Sequence, residues 1–310
     1  MIINDDCLKK MSKMESNSIS AIITDPPYGL KFMGKDWDHG IPGIIIWEEA
    51  LRICKPGSFL LSFGGTRTFH RLTCAIEDAG WQIRDCIVWL YGSGFPKSHN
   101  KFGIEGYGTA LKPAWEPIIM AMKPCDGTFK QNAEIWEQAG INIDDCRIGM
   151  AGCTKRLNQP SDPKNAEYKG RWPANILLDE NVSTLLGAPS RFFYCAKANS
   201  NERDEGCEDL PVRENPFEKD LKYMNDLRME NEQKRLPRKN DHPTVKPLKL
   251  MEYLIKLIMP PKDGILLDPF AGSGTTILAG QNLGYKVIGI EKDEGYCEIA
   301  RQRCKQRIKE

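Results

Sequence analysis

The sequence contains no run of 18 apolar residues, so it offers no transmembrane helix. Its first six residues have no basic segment followed by an apolar stretch, and no secretory signal is expected. The 11 cysteines are odd in number and scattered, and no Cys-x-x-Cys spacing occurs, which argues against a disulfide framework and a zinc site. These absences predict a cytoplasmic protein with buried free thiols and no bound metal.

The sequence also lacks an excess of charge of either sign. The net charge is +1, with 41% hydrophobic and 27% charged residues, as in an ordinary globular protein. A length of 310 residues suits one large or two modest domains. Because the overall balance does not indicate a nucleic-acid-binding protein, any contact with DNA must depend on local basic groups.

The stretch Thr24-Asp25-Pro26-Pro27-Tyr28-Gly29 follows a short apolar run and stops it abruptly. Residues 18–23 fit a buried strand, and two prolines can neither extend a sheet ladder nor enter a helix interior. The strand therefore ends in a carboxylate, two rigid carbonyls and an aromatic ring, at the edge where α/β sheets bind ligands. A Pro-Pro turn with a capping aspartate is the alternative for these residues alone.

This group of residues could activate a planar base that carries an exocyclic amine. Asp25 and the carbonyl of Pro26 can each accept one N–H, and Tyr28 can stack on the base. Two acceptors held off the amide plane draw the nitrogen lone pair out of conjugation. Because the prolines are rigid, the acceptors are preorganised, which is a large source of catalytic benefit.

A second motif runs from Gly264 to Thr276 and reads as strand, glycine loop and helix start. Its glycines let backbone N–H groups approach a bound group closely. The next strand, 286–290, ends at Glu291, and an acid there suits a ribose diol. The loop lacks the lysine of a phosphate-binding P-loop and the third glycine of a dinucleotide fingerprint.

Together the two motifs resemble the DNA amino-methyltransferases, which make N6-methyladenine or N4-methylcytosine from S-adenosylmethionine. The catalytic motif precedes the glycine motif, which is the permuted, beta-type order of that family. His242-Pro243-Thr244-Val245-Lys246-Pro247 also matches the family's cofactor segment just upstream of the glycine loop. The resemblance covers residues 1–125 and 241–310.

The resemblance implies which residues bind S-adenosylmethionine and which act on the amine. Asp6 stands where the family places an acid that reaches the cofactor's adenine, although Asp5 replaces the usual glycine and helix capping is the alternative. The implied catalytic residues are Asp25, Pro26, Pro27 and Tyr28. The implied cofactor residues are Asp6, Cys7, Asp25, His242, Thr244, Val245, Lys246, Pro247, Asp268, Pro269, Phe270, Ala271, Gly272, Ser273, Gly274, Thr275, Thr276, Glu291 and Lys292.

The expected fold is α/β, a Rossmann-like doubly wound sheet of seven strands with one reversed, as the resemblance implies. Residues 1–125 form the catalytic half, 241–310 the cofactor-binding half, and 126–240 an inserted target-recognition region. In this middle region apolar periodicity is patchy, but residues 190–197 predict a strand that returns to the main sheet. Helices are predicted over 44–53, 248–258, 276–283 and 295–308, the last with a basic outer face. Lys55-Pro56-Gly57 reads as a stop after the first helix, and residues 58–63 predict a buried strand.

Candidate DNA contacts are basic residues in loops or among aromatics, a pattern that suits nucleic acid. Residues 29–40 read as a loop that can close over a flipped base. Ordinary surface loops, solvated helix faces and linkers are the alternatives. The candidates are Lys35, Arg67, His70, Lys97, Lys101, Arg156, Arg171, Lys234 and Arg235.

The resemblance implies double-stranded DNA as the partner, and the target nucleotide must leave the helix because its amine is paired there. In this family an aspartate at the first motif position tends to accompany adenine, so Asp25 favours adenine N6; cytosine N4 is the alternative. We expect a bacterial or phage enzyme of site-specific DNA methylation. A solitary methylase, a restriction-modification partner and a homodimer all stay open.

Three other classes of protein share single features with the sequence. Pro124-Cys125 and Glu180-Asn181-Val182 resemble the nucleophile and base-binding motifs of C5-cytosine methyltransferases, but there the glycine motif comes first. Methyltransferases for RNA or protein amides often carry Asn-Pro-Pro-Tyr, where this sequence has Asp25. A DNA-binding protein without activity would be expected to have a degraded motif, and here it is intact.

Overall fold

The computed structural model describes residues 1–30, 38, 40–92, 94, 103–149, 170–196, 206–207, 210, 239–240, 245–261 and 263–305 of the chain. Within them the strands are β1 (Ile2–Asn4), β2 (Ile19–Thr24), β3 (Cys54–Phe63), β4 (Gln82–Leu90), β5 (Trp115–Met122), β6 (Ile176–Asp179), β7 (Tyr194–Ala196), β8 (Ile265–Asp268) and β9 (Lys286–Glu291).

The helices of the described residues are α1 (Cys7–Met11), α2 (Ile44–Ile53), α3 (Phe69–Asp78), α4 (Phe129–Trp136), α5 (Glu180–Leu186), α6 (Leu248–Ile258), α7 (Thr275–Asn282) and α8 (Glu294–Lys305), with a 3-10 helix over Ala188–Phe192. Helices α2 and α6 have the predicted bounds, because each has a buried apolar stripe at helical spacing. No helix in these parts of the chain has the length and apolar character of a membrane span.

The described strands form one sheet in the order β1-β9-β8-β2-β3-β5-β4-β6-β7. Strand β5 runs antiparallel to both of its neighbours, and every other pairing is parallel. Seven strands come from the two end segments, with one reversed, as expected. The predicted total of seven is nevertheless wrong, because β6 and β7 from the middle segment extend the sheet beyond β4. The predicted returning strand at 190–197 is confirmed as β7.

Both faces of the sheet are covered by helices. On β2, Ala21 and Ile23 belong to a core with α6 and α7, whereas Ile22 belongs to a core with α2 and α3. This alternation follows from the two-residue period of a strand. All six residues of β2 are buried, including the polar Ser20 and Thr24, so this central strand does not alternate between buried and exposed residues.

Strand β3 begins four residues before the predicted strand at 58–63, although Lys55-Pro56-Gly57 reads as a stop. Ile19 pairs with Cys54 and Ala21 with Phe59, so four residues of β3 lie opposite the single residue Ser20. Gly57 takes a positive φ of 76° within this bulge. The proline is accommodated because a bulge leaves backbone groups outside the regular ladder.

Gly289 in β9 is a point of close approach between the sheet and helix α7. A Cβ built there would lie 2.3 Å from Ile277 Cδ1 and 3.0 Å from Ala271 Cβ. We therefore expect Gly289→Ala to lower the free energy of unfolding by about 1–3 kcal/mol through overpacking. Urea unfolding would measure it. Gly140→Ala, where the added Cβ meets nothing within 4 Å, is the control and should change stability by less than about 0.5 kcal/mol. Equal stability of both variants would contradict this packing.

Candidate active site

The loop after β2 is held at several points. The Tyr28 hydroxyl donates to Asp25 Oδ1 at 2.6 Å, and the Thr68 hydroxyl donates to the Tyr28 carbonyl at 2.7 Å. Just beyond it, the buried carboxylate of Asp38 accepts the N–H groups of Gly29 and Leu30 at 2.8 and 3.2 Å. These contacts fix the ring of Tyr28 next to the carboxylate of Asp25, as a preorganised site requires.

A buried lysine completes this group of side chains. Lys246 Nζ lies 2.8 Å from Asp25 Oδ2 and 3.1 Å from Glu116 Oε2. It also lies 3.4 Å from the Tyr28 hydroxyl and 4.8 Å from the centre of the Phe63 ring. We call Asp25, Tyr28, Glu116 and Lys246 the carboxylate–lysine cluster. It combines parts of β2, β5 and the entry to α6, so its members come from distant parts of the sequence.

The cluster is electrostatically coupled. Burial alone would lower the pKa of Lys246, but the carboxylates of Asp25 and Glu116 outweigh it and raise that pKa above its usual range. Burial, together with the same two carboxylates, raises the pKa of the Tyr28 hydroxyl well above 10.0. At neutral pH the lysine is therefore a cation and the tyrosine a neutral donor.

The glycine loop lies beside this cluster because β8 is the sheet neighbour of β2. Asp268, at the end of β8, accepts the hydroxyl of Thr24 at 2.8 Å and that of Thr276 at 2.6 Å. It also accepts the N–H of Phe270 at 3.1 Å. Asp268 is buried, and burial raises its pKa to about 6. Its carboxylate thus joins β2, the glycine loop and α7.

Two further side chains hold the glycine loop. Glu291 accepts the N–H of Gly272 at 2.8 Å through Oε2 and that of Asp293 at 2.7 Å through Oε1. Arg303 is 2% exposed and donates to the carbonyl of Ser273 at 2.7 Å and to the hydroxyl of Thr275 at 3.0 Å. Helix α8 was expected to present a basic outer face, and for Arg303 this is wrong, because the loop oxygens attract its guanidinium inward.

The hydrogen-bonding groups around the glycine loop fit S-adenosylmethionine. Strands β1, β9 and β8 are neighbours, so Asp6, Glu291 and the glycine loop meet at one sheet edge. Both carboxylates can accept hydroxyl or amine protons, and a carboxylate oxygen that already accepts one bond retains acceptor capacity. Asp6 Oδ1 accepts the N–H of Lys9 at 3.1 Å, so it also caps α1, and the two expected roles are compatible.

The remaining expected cofactor residues lie in several different places. Cys7 is buried at the start of α1, and Lys292 is exposed after β9. Lys246 is paired with the carboxylate of Asp25, a contact that the motif alone did not indicate. His242 and Thr244 lie outside the described residues, whereas Val245 and Pro247 lead into α6.

The expected DNA contacts fall in different places. Arg67 and His70 are exposed after β3, on the same sheet edge as Asp25. Arg171 lies ahead of β6, at the edge where the parallel strands begin, and donates to the carbonyls of Gly149 and Arg191 at 3.0 and 3.2 Å. The other candidates lie outside the described residues: Lys35, Lys97, Lys101, Arg156, Lys234 and Arg235.

The position of Cys125 argues against a C5-cytosine methyltransferase. It follows β5, the reversed strand, so it lies at the sheet edge opposite Asp25 and the glycine loop. Burial raises the pKa of its thiol, which disfavours the nucleophilic thiolate. A cysteine nucleophile would have to lie near the glycine loop, and Cys125 does not.

The sheet order, the glycine loop and the Asp-Pro-Pro-Tyr cluster define a methyltransferase of the Rossmann-like class. The profile described as DNA methylase, for transfer to N6 or N4, matches residues 19–302. The chain therefore belongs to this family of DNA amino-methyltransferases.

Several relatives and solved structures are similar over nearly the whole chain. The chain is 40% identical to the type II methyltransferase M2.DpnII of Streptococcus pneumoniae, covering 98% of this chain and 88% of the relative. It is 39% identical to the type II methyltransferase M2.MboI of Moraxella bovis, and the match covers 97% of this chain and 86% of the relative. PvuII DNA methyltransferase (cytosine-N4-specific) shares the fold with a TM-score of 0.54 at 16% identity, covering 97% of this chain and 85% of that one. The crystal structure of the M1.HpyAVI–SAM complex shares the fold with a TM-score of 0.51 at 20% identity, and the match covers 98% of this chain and 98% of that one.

Asp268 gives the site a measurable pH dependence. Its folded pKa of about 6 lies above 3.8, so its contribution to stability is present at low pH and is lost as pH rises through 6. Between pH 4.5 and pH 8 we expect wild type to lose about 2 kcal/mol relative to Asp268→Asn. Urea unfolding of both proteins across this range measures the difference. A difference that stays constant with pH would contradict the burial of an ionisable Asp268.

Proposed function

We propose that this protein transfers a methyl group from S-adenosylmethionine to N6 of an adenine that is flipped out of double-stranded DNA at a specific site. The observation that carries the proposal is the hydrogen bond between Thr24 and Asp268, which places the Asp25 loop beside the glycine loop. A carboxylate acceptor and a cofactor loop side by side at one sheet edge suit methyl transfer to an amine.

Holding the cofactor falls to the glycine loop and to two acids. Glu291 is suited to the ribose hydroxyls, Asp6 to the adenine amine, and the backbone of Gly272–Gly274 to close approach. Bound S-adenosylmethionine supplies a methyl group on a positively charged sulfur, which needs no metal. His242 and Thr244 remain predicted cofactor residues.

Activation of the target amine falls to Asp25 and Pro26. Each oxygen of Asp25 already accepts one proton donor, from Tyr28 or Lys246, and each retains a lone pair for an amine N–H. With Pro26 accepting the second N–H, the lone pair is directed out of the base plane and toward the methyl group. The transfer is direct: the amine nitrogen bonds the methyl carbon as the bond from that carbon to sulfur breaks, the sulfur keeps the electron pair, and the nitrogen gives up one proton to water. No cysteine nucleophile is required. An ionised carboxylate is a stronger acceptor than a hydroxyl, and this supports adenine over cytosine.

We assign DNA recognition to residues within 126–240 and to basic groups at the active-site edge such as Arg67 and His70. Strands β6 and β7 fix part of this segment to the sheet, and we assign recognition to other residues of the segment. The affinity must come from local basic groups, because the net charge is +1. A second copy of the chain and a separate restriction enzyme are proposed partners.

The identity of the base can be tested directly. We expect DNA from methylation-deficient cells that express the protein to contain N6-methyladenine, measured by mass after digestion to nucleosides. Asp25→Ala should abolish the modification, because the amine then loses its charged acceptor, yet it should bind S-adenosylmethionine with nearly unchanged affinity. N4-methylcytosine in place of N6-methyladenine would overturn the adenine assignment and leave Asp25 in its role. Full activity of Asp25→Ala would contradict the mechanism.

The cofactor site can be tested without DNA. We expect Glu291→Ala to weaken S-adenosylmethionine binding by about tenfold or more, since a charge-assisted hydrogen bond to the ribose is lost. Isothermal titration calorimetry measures the dissociation constant. Glu294→Ala, an exposed acid one turn further along, is the matched control and should bind like wild type. Equal affinity in all three proteins would remove Glu291 from the ribose role.

A further inference from the structure

Lys246 is more deeply buried than its role as a cofactor residue would explain. Its side chain is 7% exposed, and its ammonium lies between the carboxylates of Asp25 and Glu116. An ammonium has three N–H donors and no acceptor. One donor binds Asp25, a second lies on the side of Glu116, with which the ammonium forms an ion pair at 3.1 Å, and the third faces the Tyr28 hydroxyl at 3.4 Å, which is long for a hydrogen bond. That third donor can be exchanged for a better acceptor without loss of a strong bond.

The pair of Asp25 and Lys246 presents a pattern that a nucleobase can match. Oδ2 of Asp25 is an acceptor, and Nζ of Lys246, 2.8 Å away, is a donor. Adenine carries an amine donor next to a ring-nitrogen acceptor, and cytosine carries the same pair in the same order. Inside the duplex, the partner base offers that edge an acceptor beside a donor. The protein offers the flipped base a similar edge.

We propose that Lys246 donates a hydrogen bond to the ring nitrogen adjacent to the target amine, N1 of adenine or N3 of cytosine, while Asp25 accepts from the amine. This inference rests on the proposed function and extends it to the recognition of the base. Enzymes that flip bases commonly read the Watson–Crick edge of the flipped base. Guanine and thymine carry a carbonyl and a ring N–H at these positions, so both contacts would be lost and two repulsive contacts would form.

Glu116 has a defined part in this arrangement. A lysine paired with Asp25 alone would be drawn toward the catalytic carboxylate, whereas the second carboxylate on β5 holds the ammonium between them. The ring of Phe63, 4.8 Å from Nζ, covers another side of the ammonium. Nζ is thereby fixed relative to Asp25. A donor to the ring nitrogen withdraws electron density from the amine, so the contact serves recognition and orientation, and activation remains with Asp25 and Pro26.

A simpler role for Lys246 is to neutralise two carboxylates that would otherwise repel each other in a half-buried pocket. In that role the lysine would be needed for folding, but the effect of removing it would not depend on the ring nitrogen of the base. The two roles predict different results when the lysine is removed. If the lysine contacts the base directly, the loss of activity depends on whether the base has a nitrogen or a C–H at the ring position next to the amine; if it only neutralises charge, the loss is the same for both bases. A comparison of natural and altered bases therefore separates them.

The test uses duplexes with the recognition sequence found by sequencing modified DNA, and kcat/KM as the readout. In one duplex the target adenine is replaced by 1-deazaadenine, which keeps the amine and has C–H in place of the ring nitrogen; 3-deazacytosine serves if the target is cytosine. We expect wild type to prefer the natural base over the analogue by about tenfold or more. Lys246→Met should lose most of this preference, because its activity on the natural base falls while its activity on the analogue falls little.

Two further variants keep the result decisive. Lys249→Met removes a lysine one turn further along α6 that pairs with Glu252, and it should keep the wild-type preference. Lys246→Arg retains a cationic donor and should keep a preference for the natural base, which also covers the case that Lys246→Met fails to fold. The same preference in wild type and Lys246→Met, or none in wild type, would overturn the inference. Absence of methylation of any natural DNA by wild type would instead overturn the proposed function.

Discussion

Two buried hydrogen bonds to one carboxylate hold the active site together. Asp268 accepts Thr24 and Thr276, and so connects two stretches of chain that are 244 residues apart in sequence. Burying a carboxylate is costly, and its raised pKa shows that these donors only partly offset the cost. In return the loop that carries Asp25 and the glycine loop are fixed relative to each other. Methyl transfer, the proposed reaction, needs the methyl group and the amine at a fixed distance, which would explain why this acid is buried despite the cost.

The permuted order of motifs has no effect on this geometry, because the sheet and not the chain determines which loops are neighbours. Strand β2 lies beside β8, and both end at the same edge. The chain leaves β2 through β3, β4 and β5 and then β6 and β7, and all five strands lie on one side of β2 in the sheet. The remaining strands, β9 and β1, lie on the other side of β8. The sheet thus separates most of the strands proposed to serve the base from those proposed to serve the cofactor.

Local patterns predicted the fold well where burial alone determines it. Helices α2 and α6 and strand β2 were placed within one residue, since their apolar spacing is unambiguous. The start of β3 was missed because its proline is tolerated only by a bulge that pairing with β2 creates. Strand β7 was predicted to return to the main sheet, but β6 was missed, because pairing between strands is a tertiary property that its four residues do not reveal.

The motif residues of the site could be found from sequence, but the contacts between them could not. Resemblance to a family identified Asp25, Tyr28 and Glu291, whereas nothing in the sequence paired Lys246 with Glu116. For Arg303 a signal did exist. It follows Tyr296, Ile299 and Ala300 at helical spacing, so it belongs to the buried face of α8 rather than its outer face. A basic residue on an apolar helix face predicts a buried acceptor, and the oxygens of the glycine loop are that acceptor.

The charged side chains at this sheet edge form small local groups. On the side proposed for the cofactor lie the acids Asp6 and Glu291, which suits a ligand whose sulfur is positively charged. On the side proposed for the base, the ammonium of Lys246 offsets one of the two negative charges of Asp25 and Glu116, so a neutral base would meet one net charge rather than two. Such local balance is compatible with a net charge of +1, which leaves little long-range attraction for DNA. Selection of the target must then depend on short-range contacts, for which a rigid, hydrogen-bonded cluster is better suited than a diffuse positive surface.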